Sequence, residues 1–441
     1  MLVTTTGVLL AWGADNRERP ALPALSLRAT KPKPQAPLDP WRDKLDVDRT
    51  VRQGDLTVQK LPDGTRVTYT LDPVMQKRMR EYLARFELPY GAAVLYDIKS
   101  GDVLTMTGYA HGRPEVDIEQ LTLTPWAPAA SVFKVITGSA LVQRGVPAST
   151  SVCYHGGHRG LRKHHLREIP KLDTTCRTLS DAIARSINPI MAKLSDRYLD
   201  RATLAGWSNR FGFNAPIPFD LPVTPSRADI PENRLERARV AAGFWHTEIS
   251  VLHGAMIAAA VAGRGTMPAP RLIRQVVLPG GRTIEPAQRE SRHVMRSSTA
   301  RTMAQMMART TTSGSGRRGF FSRRGKQYLG VDVAGKTGSL SRKSPFLAYS
   351  WFVGFAPVDK PRLAFAVLLG NPARWRIKAS IAARKLLSFY YERQQELRDR
   401  VEGKRASKPV RKVAVAKVRA AKRDKHARRS KRRRRRRRRA R

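Results

Sequence analysis

Acidic residues, cysteines and long apolar runs are all scarce in this 441-residue chain. Only 35 Asp and Glu stand against 83 Lys and Arg, a net charge of +48. Such a chain works in anionic surroundings, but nucleic acid, membrane phosphate and wall polymer all qualify, and charge alone does not choose. The two cysteines, Cys153 and Cys176, enclose His155, His158, His164 and His165. Three readings of that segment stay open. A disulfide in an oxidising compartment would stabilise the fold by about 3 kcal/mol through loop entropy. A pair of reduced, buried thiols is the bland reading. A zinc site built from the cysteines and histidines together is chemically possible, although the C-x-H-x-x-H spacing fits no standard finger. The apolar start Met1–Gly13 falls short of the roughly 20 residues that span a bilayer. It also lacks the basic n-region of a secretory signal, so it reads as the remnant of a signal-anchor or as an unstructured leader.

What is present divides the chain into three. Residues 1–54 combine the short apolar start with a linker that carries six prolines between positions 16 and 40. Residues 55–400 hold the globular part, and hydrophobic residues at 41% of the whole chain suffice for a packed core. Residues 401–441 form a low-complexity tail ending in a run of eight arginines. From Lys404 onward 22 basic residues face one acid, Asp424, which leaves +27 on the rest. That tail cannot offset its folding entropy by burying apolar surface and is expected to be disordered. Within the globular part, LTVQK and RVTYTL flank a Pro62-Asp63-Gly64 turn as a hairpin, and Gln76–Phe86 has helical spacing. GAAVLYDIKSGDVLTMTGY reads as two strands. From about 120 to 215 the pattern is helical, and the alanine-rich stretch 238–262 reads as one long helix buried on most sides. VDVAGKTGSL, AYSWFVGFAP and RLAFAVLLG read as three strands before a last helix at about 377–400. Strands at both ends and helices between them suggest one antiparallel sheet completed by distant segments, with a helical insert.

Three short motifs carry the chemistry. Ser131-Val132-Phe133-Lys134 opens an apolar helix, where a buried lysine one turn after a serine is costly unless the site uses it. The i to i+3 spacing brings Lys134 to the Ser131 hydroxyl. Desolvation lowers its pKa and makes it a general base for an otherwise poor nucleophile. The helix N-terminus adds partial positive charge where an oxyanion would form. Ser186-Ile187-Asn188 follows at the end of a helical stretch, and Lys336-Thr337-Gly338-Ser339 lies on a late strand. Glycines on either side of Lys336 let another backbone approach that strand closely. Singly, each motif reads as a helix start, a helix cap or a strand turn. In this order they describe one site for acyl transfer through a serine ester.

The trio, together with PAASVFK, RFGFNAPIPFDLP, GKTGSLS and WFVGFAP, resembles the penicillin-binding protein transpeptidase domain over roughly residues 66–395. The resemblance implies an α+β fold of three layers, α/β/α. An antiparallel five-stranded sheet is flanked by helices, and an all-helical subdomain carries part of the active site. It implies that Ser131 attacks the carbonyl between two terminal D-alanines of a peptidoglycan stem peptide while Lys134 takes its proton. Ser186 and Lys336 would relay that proton, and the amides of Ser131 and Ser339 would form the oxyanion hole. Asn188 would orient the stem-peptide amide, while Thr337 and Ser339 would hold the terminal carboxylate, helped by Lys336, with Gly338 between them also counted among the substrate-binding residues. No cofactor and no metal are implied, and β-lactams would be covalent inhibitors. Ser339 stands where many members have threonine, Ser186-Ile187-Asn188 replaces the Ser-Asp-Asn of some β-lactamases, and no glutamate is placed for water activation in the class A manner.

A D,D-carboxypeptidase or β-lactamase of the same fold would use the same motifs, and a β-lactam sensor would acylate without turnover. A non-catalytic envelope scaffold or polyanion-binding protein is the reading from another class. The expected setting is the cell envelope, on the periplasmic or extracytoplasmic face of the inner membrane, with an N-terminal tether. There the 404–441 tail would grip anionic lipid or wall polymer, in preference to nucleic acid, and a glycosyltransferase would be the partner enzyme.

Overall fold

The computed structural model describes residues 41–402. The apolar start, most of the proline linker and the arginine tail lie outside the described residues. Packing begins earlier than Asp55: Trp41, Leu45 and Val47 are already buried, and two 3-10 turns carry them against the core.

The main sheet has five antiparallel strands, in the order Ala334–Arg342, Leu347–Ala356, Leu363–Asn371, Tyr90–Asp97 and Val103–Tyr109. Distant segments therefore complete one sheet, as the pattern of strands predicts. Its central strands are buried on both faces, and the two-residue period of a strand sorts their side chains between two cores. Trp351, Val353, Ala364, Ala366 and Leu368 enter one, while Phe352, Phe365, Val367 and Leu369 enter the other. The second core is closed by the helices Pro73–Ala84 and Ala379–Val401. The first is closed by Val251–Ala262, whose Gly254 lets the helix settle on Val353, Ala366 and Trp351. The result is the expected three-layer α+β fold.

Helix ends follow local chemistry. Asp72 caps Pro73–Ala84 by accepting from the amides of Val74 and Met75, and its other oxygen takes the fully buried Arg393 guanidinium at 2.8 Å. Around the sheet lies the helical part, including Lys134–Gln143, Leu179–Arg185, Asn188–Tyr198, Arg201–Arg210 and Ser297–Thr312.

Two expectations change. The stretch 238–262 is two helices, Arg234–Ala241 and Val251–Ala262, because Gly243 (φ +77°) and His246 (φ +72°) turn the chain between them. Alanine-rich hydrophobicity marked burial correctly, but the left-handed turn ends the helix. The hairpin Leu56–Lys60 and Arg66–Tyr69 joins a second five-stranded sheet through Ile273–Val277, a pairing that spans some 200 residues and leaves no local mark. Among the described residues no helix is long and apolar enough to cross a membrane.

Candidate active site

Ser131 sits in the 3-10 turn Ala130–Phe133 that leads into the helix Lys134–Gln143. The residue before it, Ala130, has φ +49°, a left-handed value that an alanine adopts only at some cost. Gly243 explains how that backbone is held. A Cβ there would collide with the Ala130 carbonyl and lie 2.8 Å from Ser131 Cα, so only glycine lets the 243 turn press against the Ser131 backbone.

Lys134 is fully buried, with Nζ 2.8 Å from Ser131 Oγ and 2.7 Å from Asn188 Oδ1. The Ala242 carbonyl is its third partner. Asn188 has its orientation fixed, since Nδ2 donates to the Arg159 carbonyl at 2.7 Å and so turns Oδ1 toward the lysine. Two of the three partners of Nζ are carbonyl oxygens that can only accept. A neutral amine would satisfy both with its two N–H groups and turn its lone pair to the Ser131 hydroxyl, which is the arrangement a general base needs. Burial pushes the Lys134 pKa well below its ordinary value, and the positive charge of Lys336 pushes the same way.

Lys336 is also fully buried, on the edge strand Ala334–Arg342. Its Nζ lies 2.9 Å from Ser186 Oγ and 2.8 Å from the Thr337 carbonyl. Burial lowers its pKa to about 7. Ser186 occupies the left-handed position after Leu179–Arg185 (φ +60°), and this turn aims its hydroxyl at Lys336 while Asn188 starts the next helix. The structure thus forms two linked pairs, Ser131–Lys134 and Ser186–Lys336, with Asn188 against the first.

Along the edge strand, Gly338 lies beside Ala130, where a Cβ would come within 3.3 Å of the alanine Cβ. Thr337 is half-buried with Oγ1 2.6 Å from Ser315 Oγ, and Ser339 is exposed. The strand and the Ser131 turn are therefore close together, and among the described residues the outer edge of the strand has no neighbour within its sheet.

Sequence reading missed the Ala242 and Arg159 carbonyls, which are backbone groups with no side-chain signature. It also missed Ser315, although Ser313-Gly314-Ser315-Gly316 has a loop's composition. The helical reading of 120–215 overlooked the strands Ser151–Tyr154 and Thr175–Thr178, which pair Cys153 opposite Cys176. The disulfide joins them, so the thiol and zinc–thiolate readings fall away.

The model of the penicillin-binding protein transpeptidase domain matches residues 91–387. Stage V sporulation protein D of Bacillus subtilis is 26% identical over 70% of this chain and 50% of that protein. For the penicillin-binding protein PbpB of Mycobacterium tuberculosis the identity is 25%, over 71% of this chain and 49% of that protein. The chain spans about half the length of these curated relatives. Among solved structures, penicillin-binding protein 3 of M. tuberculosis complexed with aztreonam superposes with a TM-score of 0.63 at 21% identity, covering 78% of this chain and 81% of that one. The D,D-transpeptidase domain of a peptidoglycan glycosyltransferase from Eggerthella lenta gives 0.61 at 21% identity, over 77% of this chain and 96% of that one. Fold, matched residues and motif order agree, and the chain belongs to the penicillin-binding protein transpeptidase domain family.

Proposed function

We propose that this chain is a peptidoglycan D,D-transpeptidase that cross-links stem peptides through an ester on Ser131. The observation that carries the reading is the buried amine of Lys134, tied by two carbonyl acceptors and aimed at Ser131 Oγ at 2.8 Å. In the first half-reaction Ser131 Oγ bonds to the carbonyl carbon between the two D-alanines as Lys134 takes the hydroxyl proton. The amides of Ser131 and Ser339 receive the oxyanion. The Ser186–Lys336 pair returns a proton to the departing D-alanine, a task that suits an amine titrating at about 7. An amine of a second stem then attacks the ester by the reverse sequence. Asn188 orients the donor stem, and Thr337, Gly338 and Ser339 form the strand edge that takes its carboxylate end.

Fluorescent penicillin labels the protein covalently on this reading, and Ser131→Ala abolishes the label while the fold is kept. A labelled Ser131→Ala variant would overturn it. Incubation with a stem-peptide donor and an amine acceptor then separates transpeptidation from hydrolysis, since a carboxypeptidase releases D-alanine without joining the amine. We place the reaction at the cell envelope, with a glycosyltransferase supplying the glycan strands. The tail holds the enzyme to anionic lipid or wall phosphate at about 1 kcal/mol per basic residue near the surface. Binding of the 404–441 segment to anionic vesicles is then lost in high salt.

A further inference from the structure

The disulfide-bounded loop carries a second group of chemically active side chains that the acyl-transfer reading does not use. One ring nitrogen from each of His155, His164 and His165 lies within 4.8 Å of the other two. The rings lie close together, with centroids 4.2 Å apart for His164 and His165, 4.9 Å for His155 and His165 and 5.2 Å for His155 and His164. Three imidazoles in a region this basic would repel if charged, so they need a reason to share one spot. We propose that these three histidines bind a divalent transition-metal ion of the zinc class, and that the ion clamps the loop which holds Asn188.

The proposal rests on how the rings are already oriented. His155 Nδ1 donates to Asp173 Oδ1 at 2.6 Å, which leaves Nε2 as the lone-pair nitrogen. That Nε2 is buried and makes no hydrogen bond. A carboxylate behind one imidazole nitrogen and an open lone pair on the other is the arrangement that orients metal-binding histidines. Asp173 is itself fixed by Lys193 at 2.7 Å and by the amide of Ile169 at 2.9 Å. His165 is buried, and its Nδ1 accepts from the amide of Arg162 at 2.8 Å. A neutral ring in that state carries its proton on Nε2, so ligation by Nδ1 would replace the Arg162 bond. His164 is exposed, its ring stacked on that of His155. Nitrogens around a tetrahedral zinc ion sit about 3.4 Å apart, so the rings close by about 1 Å, with His164 moving most and water completing the shell. The disulfide takes both sulfurs out of the ligand set and pins the two strands that frame the loop.

The loop reaches the active site through two bonds. The amide of Asn188 donates to the His158 carbonyl at 2.8 Å, and Asn188 Nδ2 donates to the Arg159 carbonyl at 2.7 Å. Both carbonyls lie between His155 and His164 in the chain, so a metal clamp across these rings would fix the backbone that positions Asn188.

The test is calorimetric titration of the full oxidised chain with ZnCl2, with MgCl2 as the hard-ion comparison. Oxidising conditions keep the cysteines out of the ligand set. One equivalent of zinc binds and Mg2+ does not, and a Co2+-loaded sample shows the visible absorption of tetrahedral nitrogen ligation. His164→Ala, an exposed change that does not threaten the fold, weakens zinc at least tenfold. His155→Ala does the same, and His293→Ala, on a distant strand, leaves binding unchanged. Thermal unfolding of each variant reports whether it is folded. No stoichiometric zinc binding by the folded wild type would overturn the proposal, as would affinity unchanged in both His155→Ala and His164→Ala. Because the readout is metal affinity, failure of the acyl-transfer reading would leave this result standing, and the reverse also holds.

Discussion

Replacing Asn188 with aspartate would put a carboxylate where a neutral amide oxygen now lies 2.7 Å from Lys134 Nζ. At an effective dielectric of about 20, opposite charges at that distance attract by about 6 kcal/mol. The cost of burying the new carboxylate against the Arg159 carbonyl, which now accepts from Asn188 Nδ2, falls on both protonation states of Lys134 and so lowers stability without entering the shift. Even half of that attraction, about 3 kcal/mol, raises the Lys134 pKa by about two units. Since only the neutral amine accepts the Ser131 proton, acylation climbs with pH through the Lys134 pKa. At a fixed pH on that rising limb, Asn188→Asp is therefore about 100-fold slower, one factor of ten for each unit. The assay is the single-turnover rate of labelling by a fluorescent penicillin across pH, with Asn188→Ala as the comparator. The alanine variant also labels slowly, having lost a carbonyl that fixes the lysine, but its midpoint does not rise, since the lost acceptor favoured the charged amine. An Asn188→Asp profile with an unshifted midpoint would refute the view that Lys134 works as a neutral base held by Asn188.

Three further outcomes follow from the same geometry. Lys336 has its pKa lowered from 10.5 to about 7 by burial, so between those pH values the unfolded chain binds more protons and stability rises with pH. Lys336→Met removes that cost, gaining about 2 kcal/mol at neutral pH and flattening the rise while labelling collapses; denaturant unfolding at pH 7 and pH 10 checks it. Gly243→Ala drives a Cβ into the Ala130 carbonyl, so the labelling rate falls at least tenfold with the secondary structure, followed by circular dichroism, unchanged. Replacing Cys153 and Cys176 with serine opens a loop with a sequence separation of 23 and costs about 3 kcal/mol. That loss appears as a lower denaturation midpoint, and an unchanged midpoint would mean that the unfolded chain does not feel the bridge.

Local chemistry made much of the fold readable. Residues 347–356 and 363–371 announce buried strands through continuous apolar runs, and Pro62-Asp63-Gly64 announces its turn, because each signal lies within a few residues. The 238–262 stretch misled because hydrophobicity reports burial and not backbone direction. The break at Gly243 brings the Ala242 carbonyl to Lys134 and Gly243 itself against Ala130, and that arrangement is visible only with both segments in view. The pairing of Arg66–Tyr69 with Ile273–Val277 was hidden for a similar reason, since strand partners far apart in sequence carry no shared local mark.

By itself the sequence determined which side chains could do the chemistry: a serine with a lysine one helical turn later, a Ser-x-Asn and a Lys-Thr-Gly in that order. It did so because nucleophile, base and proton carrier must be particular residue types, and the first pair meets within one turn of chain. Only the tertiary structure decided that Lys134 faces two carbonyl acceptors, that Lys336 pairs with Ser186 and that the Cys153–Cys176 loop holds Asn188. Those facts depend on burial and on backbone groups from distant segments. Every residue carries the same carbonyl, so no sequence can mark which one will be brought to the lysine.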